Sequence, residues 1–189
     1  RARLGMGYLS QEPSVFQRMS VLDNLKAILE FTDVARAERL EVARGLLEEY
    51  GLVHLEKQRA DTLSGGETRR LEICRALVRR PTVILLDEPS SGIAQREVEA
   101  LSPVLLRLRD EMGAALVIIE HDMPLISSIS DRLIALDQGR VLTTGRPADV
   151  LLHPEVVRSY LGTDAAALGR SDAVQAPAVI SSNDLDTRG

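Results

Sequence analysis

Two adjacent carboxylates, Asp87 and Glu88, directly follow the apolar run Val83–Leu86. Such a run is typical of a parallel strand that is buried on both faces. In open parallel sheets, ligands bind beyond the carboxyl ends of the strands. There one carboxylate can hold Mg²⁺ through its waters, and the other can orient or deprotonate an attacking water. The alternative is a pair of solvated acids at the start of a loop, which leaves the apolar run unexplained.

A second polar group, Ser64-Gly65-Gly66-Glu67, precedes a helix-like segment. The N-terminus of a helix attracts anions, because its first backbone N–H groups are unpaired and its dipole is positive there. Two glycines let a phosphate approach the backbone closely, and the Ser64 hydroxyl can add a donor. An ordinary helix start is the alternative interpretation. The helix-like segment and the acidic strand end that follow favour the anion site.

Gln11 and His121 are the other two polar residues with a strand before them. His121 follows the apolar run at 115–119, so it is expected at the same sheet edge as Asp87. A histidine there can hydrogen-bond a terminal phosphate and hold a water in line. Gln11 follows a predicted strand at 4–9, and its side-chain carbonyl can reach Mg²⁺ and the attacking water. Either residue taken alone would indicate little.

The elements that must position these residues alternate along the chain. Strand-like apolar runs are separated by segments with helical periodicity, which predicts an α/β fold with a largely parallel sheet. The predicted strands are 4–9, 83–86, 115–119 and a hairpin at 132–137 and 140–144, and the predicted helices are 21–31, 35–50, 66–79, 95–111, 124–130, 147–152 and 154–161.

The predicted helix after Ser64 carries the cysteine and several basic residues. Cys74 is expected to pack as a small apolar side chain. The arginines are expected to be mostly solvated, with a smaller share in contact with a partner. They are Arg69, Arg70, Arg75, Arg79 and Arg80.

Composition and charge restrict the class of protein. The 189 residues are enough for one domain with a sizeable core. A net charge of −5 argues against a nucleic-acid partner, because no overall basic field attracts phosphates. The longest apolar run, Ala114–Ile119, is too short for a membrane span of about 20 residues, so a membrane role requires a partner. Residues 163–189, rich in Ala, Ser and Asp, are expected to form a disordered tail.

Five short motifs in this order resemble those of ATP-binding cassette (ABC) ATPases. The resemblance extends over residues 4–162 and implies a P-loop NTPase-like ABC ATPase domain, with a largely parallel sheet and a helical subdomain at about residues 17–80. It also implies hydrolysis of ATP with Mg²⁺. The motifs are Gln11 (Q-loop), Leu63–Glu67 (signature), Val83–Glu88 (Walker B), Ser91–Ala94 (D-loop) and His121 (H-loop).

The resemblance implies catalytic roles within one subunit. Glu88, His121 and Gln11 would be the catalytic residues that act on the nucleotide bound by their own subunit. Asp87 and Gln11 would hold Mg²⁺. Each of these residues lies at a predicted strand end, in agreement with the positions derived from the residue pattern.

The resemblance also implies contacts across a dimer. The signature motif would bind the γ-phosphate of ATP held by a second ABC ATPase subunit, most simply in a homodimer. Closure of the dimer would drive transmembrane permease subunits, which would place the chain in the cytoplasm, peripheral on the inner face of the cell membrane. The signature residues are Ser64, Gly65, Gly66 and Glu67, and the D-loop residues are Ser91, Gly92, Ile93 and Ala94.

The chain departs from the family pattern in two places. It contains neither a Gly-x-x-x-x-Gly-Lys-Ser/Thr phosphate loop nor the aromatic residue that stacks on adenine. The family places both upstream and the chain begins at Arg1, so an N-terminally truncated domain over residues 1–162 is expected, which would hydrolyse ATP negligibly alone. The D-loop ends in Ala94, where many family members have Asp or Asn.

The subfamily features are mixed. Residues 5–29 and the signature resemble lipopolysaccharide-export ATPases, whereas residues 88–94 and 119–124 resemble branched-chain amino-acid importer ATPases. The leading hypothesis is an ATPase subunit that powers a transporter of one of these types. A soluble, non-transport ABC ATPase of DNA repair or translation is an alternative, although no sustained heptads and only one signature occur. A nucleotide-free interaction module is a further alternative if the phosphate loop is truly absent.

Overall fold

The computed structural model describes residues 5–111 and 113–161. The predicted α/β fold is confirmed, and the elements occur in the predicted order. They belong to two compact units, divided between Ser130 and Asp131. The predicted tail at 163–189 lies outside the described residues. The first unit contains β1 (Met6–Leu9), α1 (Val21–Leu29), α2 (Arg39–Glu49), α3 (Gly65–Leu77), β2 (Val83–Asp87), α4 (Gln95–Asp110), β3 (Ala115–Ile119) and α5 (Met123–Ile129), and the second contains β4 (Leu133–Asp137), β5 (Arg140–Gly145), α6 (Pro147–Leu151) and α7 (Pro154–Leu161).

The sheet of the first unit has three parallel strands in the order β1-β2-β3. Leu9 is paired with Leu86, and Asp87 with Ile119, so all three strands end at one edge of the sheet. Side chains alternate between the two faces of a strand. Leu9, Leu86 and Ile84 are buried on the face that belongs to the main hydrophobic core. The parallel register therefore delivers the residues after each strand to a common edge.

The opposite face of this sheet is largely exposed in the part of the chain that the structure describes. Tyr8, Val117 and Ile119 are 61%, 53% and 62% exposed. The predicted strand at 115–119 is confirmed, but its apolar side chains are not buried on both faces within the described residues. Among the described strands, β3 is the last in the sheet. Only its alternate side chains, Leu116 and Ile118, pack against the core, and they are partly exposed. An apolar run alone does not reveal how many faces are covered.

Short-range sequence features explain where the first helices begin and end. The Ser20 hydroxyl accepts a hydrogen bond from the Asp23 backbone N–H at 3.0 Å and caps the N-terminus of α1. Gly51 adopts a φ of +69° after α2, as expected for a residue that ends a helix. α2 begins later than predicted, because the Glu38 N–H donates to the Ala35 carbonyl and closes a separate turn.

The helices α1, α2 and α3 bury their apolar faces against one another. Leu25, Leu47 and Leu71, one from each helix, are fully buried. Cys74 of α3 is fully buried as well, as predicted for a small apolar side chain. Two short 3-10 helices, Val53–Leu55 and Ala60–Thr62, connect α2 to α3. No helix in the described ranges is both long and apolar enough to span a bilayer.

The second unit is a β-hairpin with two short helices. Gln138 and Gly139 both have positive φ angles, 45° and 78°, which a two-residue hairpin turn requires. A small core of its own contains Ala135, Val150 and Val156. The predicted hairpin and both predicted proline-started helices are confirmed in this unit.

One buried amide fastens the loop between β1 and α1, residues 10–20, which we call the Gln11 loop. Asn24 is completely buried in α1. Its Oδ1 accepts from the Phe16 backbone N–H at 2.8 Å, and its Nδ2 donates to the carbonyls of Phe16 and Ser20 at 3.1 and 3.0 Å. The Asn24 side chain thus supplies hydrogen-bond partners for backbone groups of Phe16 and Ser20.

We expect Asn24→Ala to lower the free energy of unfolding by about 1–3 kcal/mol, because it leaves buried backbone groups of the loop unpaired. Urea unfolding of the purified protein measures the change. Gln58→Ala is the matched control, since Gln58 is an exposed amide that bonds Thr62. Equal losses for the two variants would show that the Asn24 bonds contribute nothing specific.

Candidate active site

The candidate site lies at the sheet edge where β1, β2 and β3 end. Gln11 follows β1, Glu88 follows β2 and His121 follows β3. The register that pairs Asp87 with Ile119 places the last two loops side by side. The fold thus brings together residues that are far apart in the sequence.

The three side chains converge on one carboxylate. Gln11 Nε2 donates to Glu88 Oε2 at 2.7 Å. His121 Nδ1 lies 4.0 Å from Glu88 Oε1, which is too long for a direct hydrogen bond. His121 is two-thirds exposed, whereas Glu88 is mostly covered. A small polar molecule such as water could bridge a gap of this kind between the imidazole and the carboxylate.

Glu88 has an unusual backbone. Its φ is +43°, a left-handed conformation that costs a non-glycine residue about 1–2 kcal/mol. Its N–H donates to the Ile119 carbonyl at 2.9 Å, and its carbonyl accepts from the Ser91 N–H at 3.0 Å. These bonds hold the turn that directs the Glu88 side chain away from the strand and toward Gln11. Strained backbone of this kind persists where the surroundings over-determine it.

Asp87 supplies the second carboxylate of the pair. The Tyr8 hydroxyl lies 3.5 Å from Asp87 Oδ2. Within the residues described, no group of three or more His, Cys, Asp or Glu side chains forms a metal site. Mg²⁺ does not need one, since it commonly takes one or two protein oxygens and completes its shell with water and phosphate. The carboxylate of Asp87 and the amide oxygen of Gln11 fit that donor set.

Glu120 is a structural residue of the site that the sequence interpretation missed. Its carboxylate is fully buried. Oε1 accepts from the Ser90 N–H at 2.7 Å, and Oε2 accepts from the N–H groups of His121 and Asp122 at 3.0 and 3.3 Å. Glu120 therefore ties the loop after β2 to the loop after β3. The sequence did offer one indication of this role, because Glu120 lies directly between the apolar run at 115–119 and the predicted site residue His121.

Arg69 and Glu72 of α3 form a buried ion pair behind the site. Their side chains are 4% and 2% exposed, with Arg69 Nη1 and Glu72 Oε2 2.9 Å apart. The prediction that the arginines of this helix are mostly solvated is wrong for Arg69. Its guanidinium donates to backbone carbonyls of the loops after β1 and β2. Sequence spacing could not reveal these partners, because they come from distant segments.

The signature residues form the start of α3. The Glu67 N–H donates to the Ser64 hydroxyl at 3.2 Å, and the Ser64 N–H donates to Glu67 Oε2 at 2.8 Å. This reciprocal capping box satisfies two of the N-terminal donors of the helix. Ser64 and Glu67 thus have a local structural role in addition to any role toward a ligand.

The two signature glycines lie against other parts of the same chain. A Cβ on Gly65 would lie 3.0 Å from Ile93 Cγ2, and a Cβ on Gly66 would lie 2.8 Å from Glu97 Oε1. Any larger residue would push against the D-loop or the first turn of α4. In this structure the groups that approach the two glycines closely are therefore side chains of the same protein, Ile93 and Glu97.

Glu97 places a carboxylate at the N-terminus of α3. Hydrogen bonds from the Ser64 hydroxyl and from the N–H groups of Ala94 and Gly66 hold the pKa of Glu97 below its ordinary value. The sequence interpretation did not single out Glu97. The Glu97 carboxylate thus places a negatively charged oxygen at the helix N-terminus where the sequence predicts an anion site.

The D-loop runs from Ser91 to Ala94 and joins β2 to α4. Gly92 has a φ of +73°, which favours glycine there. Ala94 is the N-cap of α4 and has no polar side chain to cap it. Glu97 compensates from the helix side, because its Oε2 accepts from the Ala94 N–H at 3.4 Å. A capping box normally has two bonds, and alanine in place of Asp or Asn at position 94 leaves α4 with only the bond from the Ala94 N–H to Glu97.

Comparison with known proteins shows which family the chain resembles. The family model described as "ABC transporter" matches residues 1–91. The lipopolysaccharide export system ATP-binding protein LptB of Escherichia coli K12 is 41% identical over 165 residues. That match covers 87% of this chain and 68% of the relative.

Solved structures of ATP-binding cassettes share the fold. The ADP conformation of MJ1267, an ATP-binding cassette of an ABC transporter, superposes with a TM-score of 0.73 at 30% identity and covers 85% of this chain and 69% of its own. A dimeric, post-hydrolysis state of the cassette MJ0796 with ADP and Pi has a TM-score of 0.67 at 26% identity, covering 77% of this chain and 64% of its own.

A relative of this identity, matched over more than two thirds of its length, establishes the family. The fold and the five motifs in order are consistent with it. The chain therefore belongs to the ABC transporter family, as an ATP-hydrolysing subunit of a transporter.

Proposed function

We propose that Gln11, Asp87, Glu88 and His121 form the catalytic half of the ATP-hydrolysis site. The observation that carries the proposal is the 2.7 Å contact between Gln11 Nε2 and Glu88 Oε2. It brings a carboxylate and an amide from two strand ends together at the edge where parallel sheets bind ligands. A relative named as an ATP-binding protein and a solved cassette in its ADP conformation support a nucleotide site in this chain.

In this proposal Glu88 orients and deprotonates the attacking water, and Gln11 holds the carboxylate in place. His121 bonds the terminal phosphate and the water, where it stabilises charge that develops during the reaction. Asp87 and the amide oxygen of Gln11 bind Mg²⁺, which neutralises phosphate charge when present.

The signature motif acts, in this proposal, on ATP held by a second subunit in a homodimer. The dimeric solved cassette with ADP and Pi supports such an arrangement. The carboxylate of Glu97 already lies beside Gly66 at the start of α3 and accepts from the Ala94 N–H. A γ-phosphate that binds there must displace that carboxylate, so Glu97 competes with the incoming nucleotide.

The Gln11 loop is proposed to dock the permease. Phe16 is 43% exposed, and the Arg75 guanidinium lies over its ring at 4.6 Å from the centroid. Its backbone is fixed by Asn24, so the aromatic ring is presented from a rigid support. Docking of this kind places the subunit in the cytoplasm, peripheral on the inner face of the cell membrane.

For the transported substrate and the domain limits, the proposals rest on resemblance. Lipopolysaccharide export is favoured over branched-chain amino-acid import, because a lipopolysaccharide-export ATP-binding protein is 41% identical to this chain. We further propose one ATPase domain over residues 1–162 with its helical subdomain at about residues 17–80, where α1, α2 and α3 occur.

In the full-length protein, we expect Glu88→Gln to lower kcat by about 10²–10⁴-fold and to leave ATP binding intact, because an amide keeps the shape but is not a base. Steady-state turnover and nucleotide titration measure the two effects. Glu12→Gln is the matched control, an exposed acid next to Gln11 whose loss should change neither. Turnover by Glu88→Gln near the wild-type rate would remove the proposed role.

We expect His121→Ala to lower kcat by about 10²-fold, with a smaller effect on nucleotide affinity, because its contact strengthens as charge develops on the phosphate. Parallel measurement of kcat and of the ATP dissociation constant tests this. His54→Ala, at an exposed histidine on another segment, is the control. A loss of affinity as large as the loss of turnover would indicate ground-state binding instead.

We expect Phe16→Glu to weaken assembly with the permease by about 2 kcal/mol or more, because a charge replaces an aromatic anchor. Co-purification and titration with the permease subunits measure the change. The matched control is Phe31→Glu, the chain's other phenylalanine, which is 75% exposed at the end of α1. Equal affinities for wild type and Phe16→Glu would place the docking surface elsewhere.

A further inference from the structure

The buried guanidinium of Arg69 connects the two loops that carry Gln11 and Glu88. Its Nη1 donates to the Ser10 carbonyl at 2.9 Å, and its Nη2 donates to the Glu88 carbonyl at 2.8 Å. Its Nε donates to the Pro89 carbonyl at 2.9 Å. One planar group thus contacts the backbone on both sides of the 2.7 Å Gln11–Glu88 contact.

We propose that Arg69 is a positioning residue for hydrolysis, which aligns the Glu88 carboxylate and transmits the position of the Gln11 loop to it. The inference rests on the proposed role of Glu88 as the activating carboxylate. Arg69 itself is buried, and its four hydrogen bonds go to backbone carbonyls and to Glu72, so we assign it no contact with the reacting atoms.

The backbone of Glu88 explains why such a residue is needed. The left-handed conformation of Glu88 costs about 1–2 kcal/mol relative to a right-handed one. The backbone would therefore relax if neighbouring groups did not hold it. Arg69 bonds the Glu88 carbonyl and also the next carbonyl, that of Pro89. Two adjacent charge-assisted bonds oppose rotation of the peptide planes that direct the side chain.

Glu72 completes the connection to the docking side of the Gln11 loop. Its Oε2 accepts from Arg69, and its Oε1 accepts from the backbone N–H and hydroxyl of Ser14 at 2.5 and 3.2 Å. One turn further along α3, Arg75 donates to the Ser14 carbonyl and lies over the Phe16 ring. Residues at three-residue spacing lie on one face of a helix, so α3 holds the whole loop along one side.

The ion pair is poorly explained as a device for stability alone. Burying two charges costs several kcal/mol in desolvation, and apolar pairs of similar volume are often as stable. What an apolar pair cannot do is bond three carbonyls from two loops at once. A shift of the Gln11 loop on docking therefore moves the group that holds Glu88.

The test is Arg69→Lys in the full-length protein assembled with its permease. Lysine keeps the charge opposite Glu72, but its single ammonium cannot bond the carbonyls of Ser10, Glu88 and Pro89 together. We expect kcat to fall by about 10²-fold, as for a misplaced catalytic group, with KM for ATP nearly unchanged. An effect on folding alone would lower the melting temperature and leave kcat per folded molecule unaltered.

Arg44→Lys is the matched control. Arg44 also forms a two-bond pair, with Glu56 at 2.8 and 3.0 Å, but on the surface of the helical region. Its replacement should change neither kcat nor KM. Wild-type kcat in Arg69→Lys, or a rise in KM that accounts for the whole loss, would overturn the inference.

Glu72→Gln provides a second test if Arg69→Lys does not fold. The amide keeps the volume and an acceptor for Ser14, but it removes the charge that orients Arg69. A fall in kcat at constant KM supports the inference, and wild-type kcat overturns it. If Glu88→Gln hydrolyses ATP normally, the proposed function itself fails. If Glu88→Gln is inactive and Arg69→Lys is fully active, only the positioning role fails.

Discussion

The guanidinium of Arg69 is the interaction on which the arrangement of the site depends. Parallel register brings the ends of β1, β2 and β3 to one edge, but it does not fix the loops beyond them. Arg69 bonds carbonyls of two of those loops from within α3, and Glu120 links the second loop to the third. The left-handed Glu88 persists between these two buried charged side chains.

Local patterns in the sequence predicted the features that depend on neighbours in the chain. The hairpin at 132–137 and 140–144, the helices at 147–152 and 154–161 and the strand that precedes Glu88 all follow from short-range rules. The predicted site residues Gln11, Glu88 and His121 converge for a related reason, since parallel strands share their carboxyl ends.

Features set by distant partners were not predictable in the same way. Arg69 looked like one of several solvated arginines, and its burial depends on carbonyls from two other loops. Glu97 lies against Gly66 only because α4 packs beside α3. Ile119 is exposed because no element among the described residues covers that face of the sheet, and no residue pattern within 115–119 encodes that. These contacts decide the site's geometry, whereas the motifs decide its chemistry.

The most direct measurement is a structure of the full-length dimer trapped with ADP, Mg²⁺ and vanadate, which mimics the γ-phosphate in the transition state of hydrolysis. The account predicts that the oxygen in the attacking position lies within about 3 Å of the Glu88 carboxylate. It also predicts that Arg69 still bonds the Glu88 carbonyl in that state. An attacking oxygen held by other groups, with the Glu88 side chain turned away from it, would contradict the account.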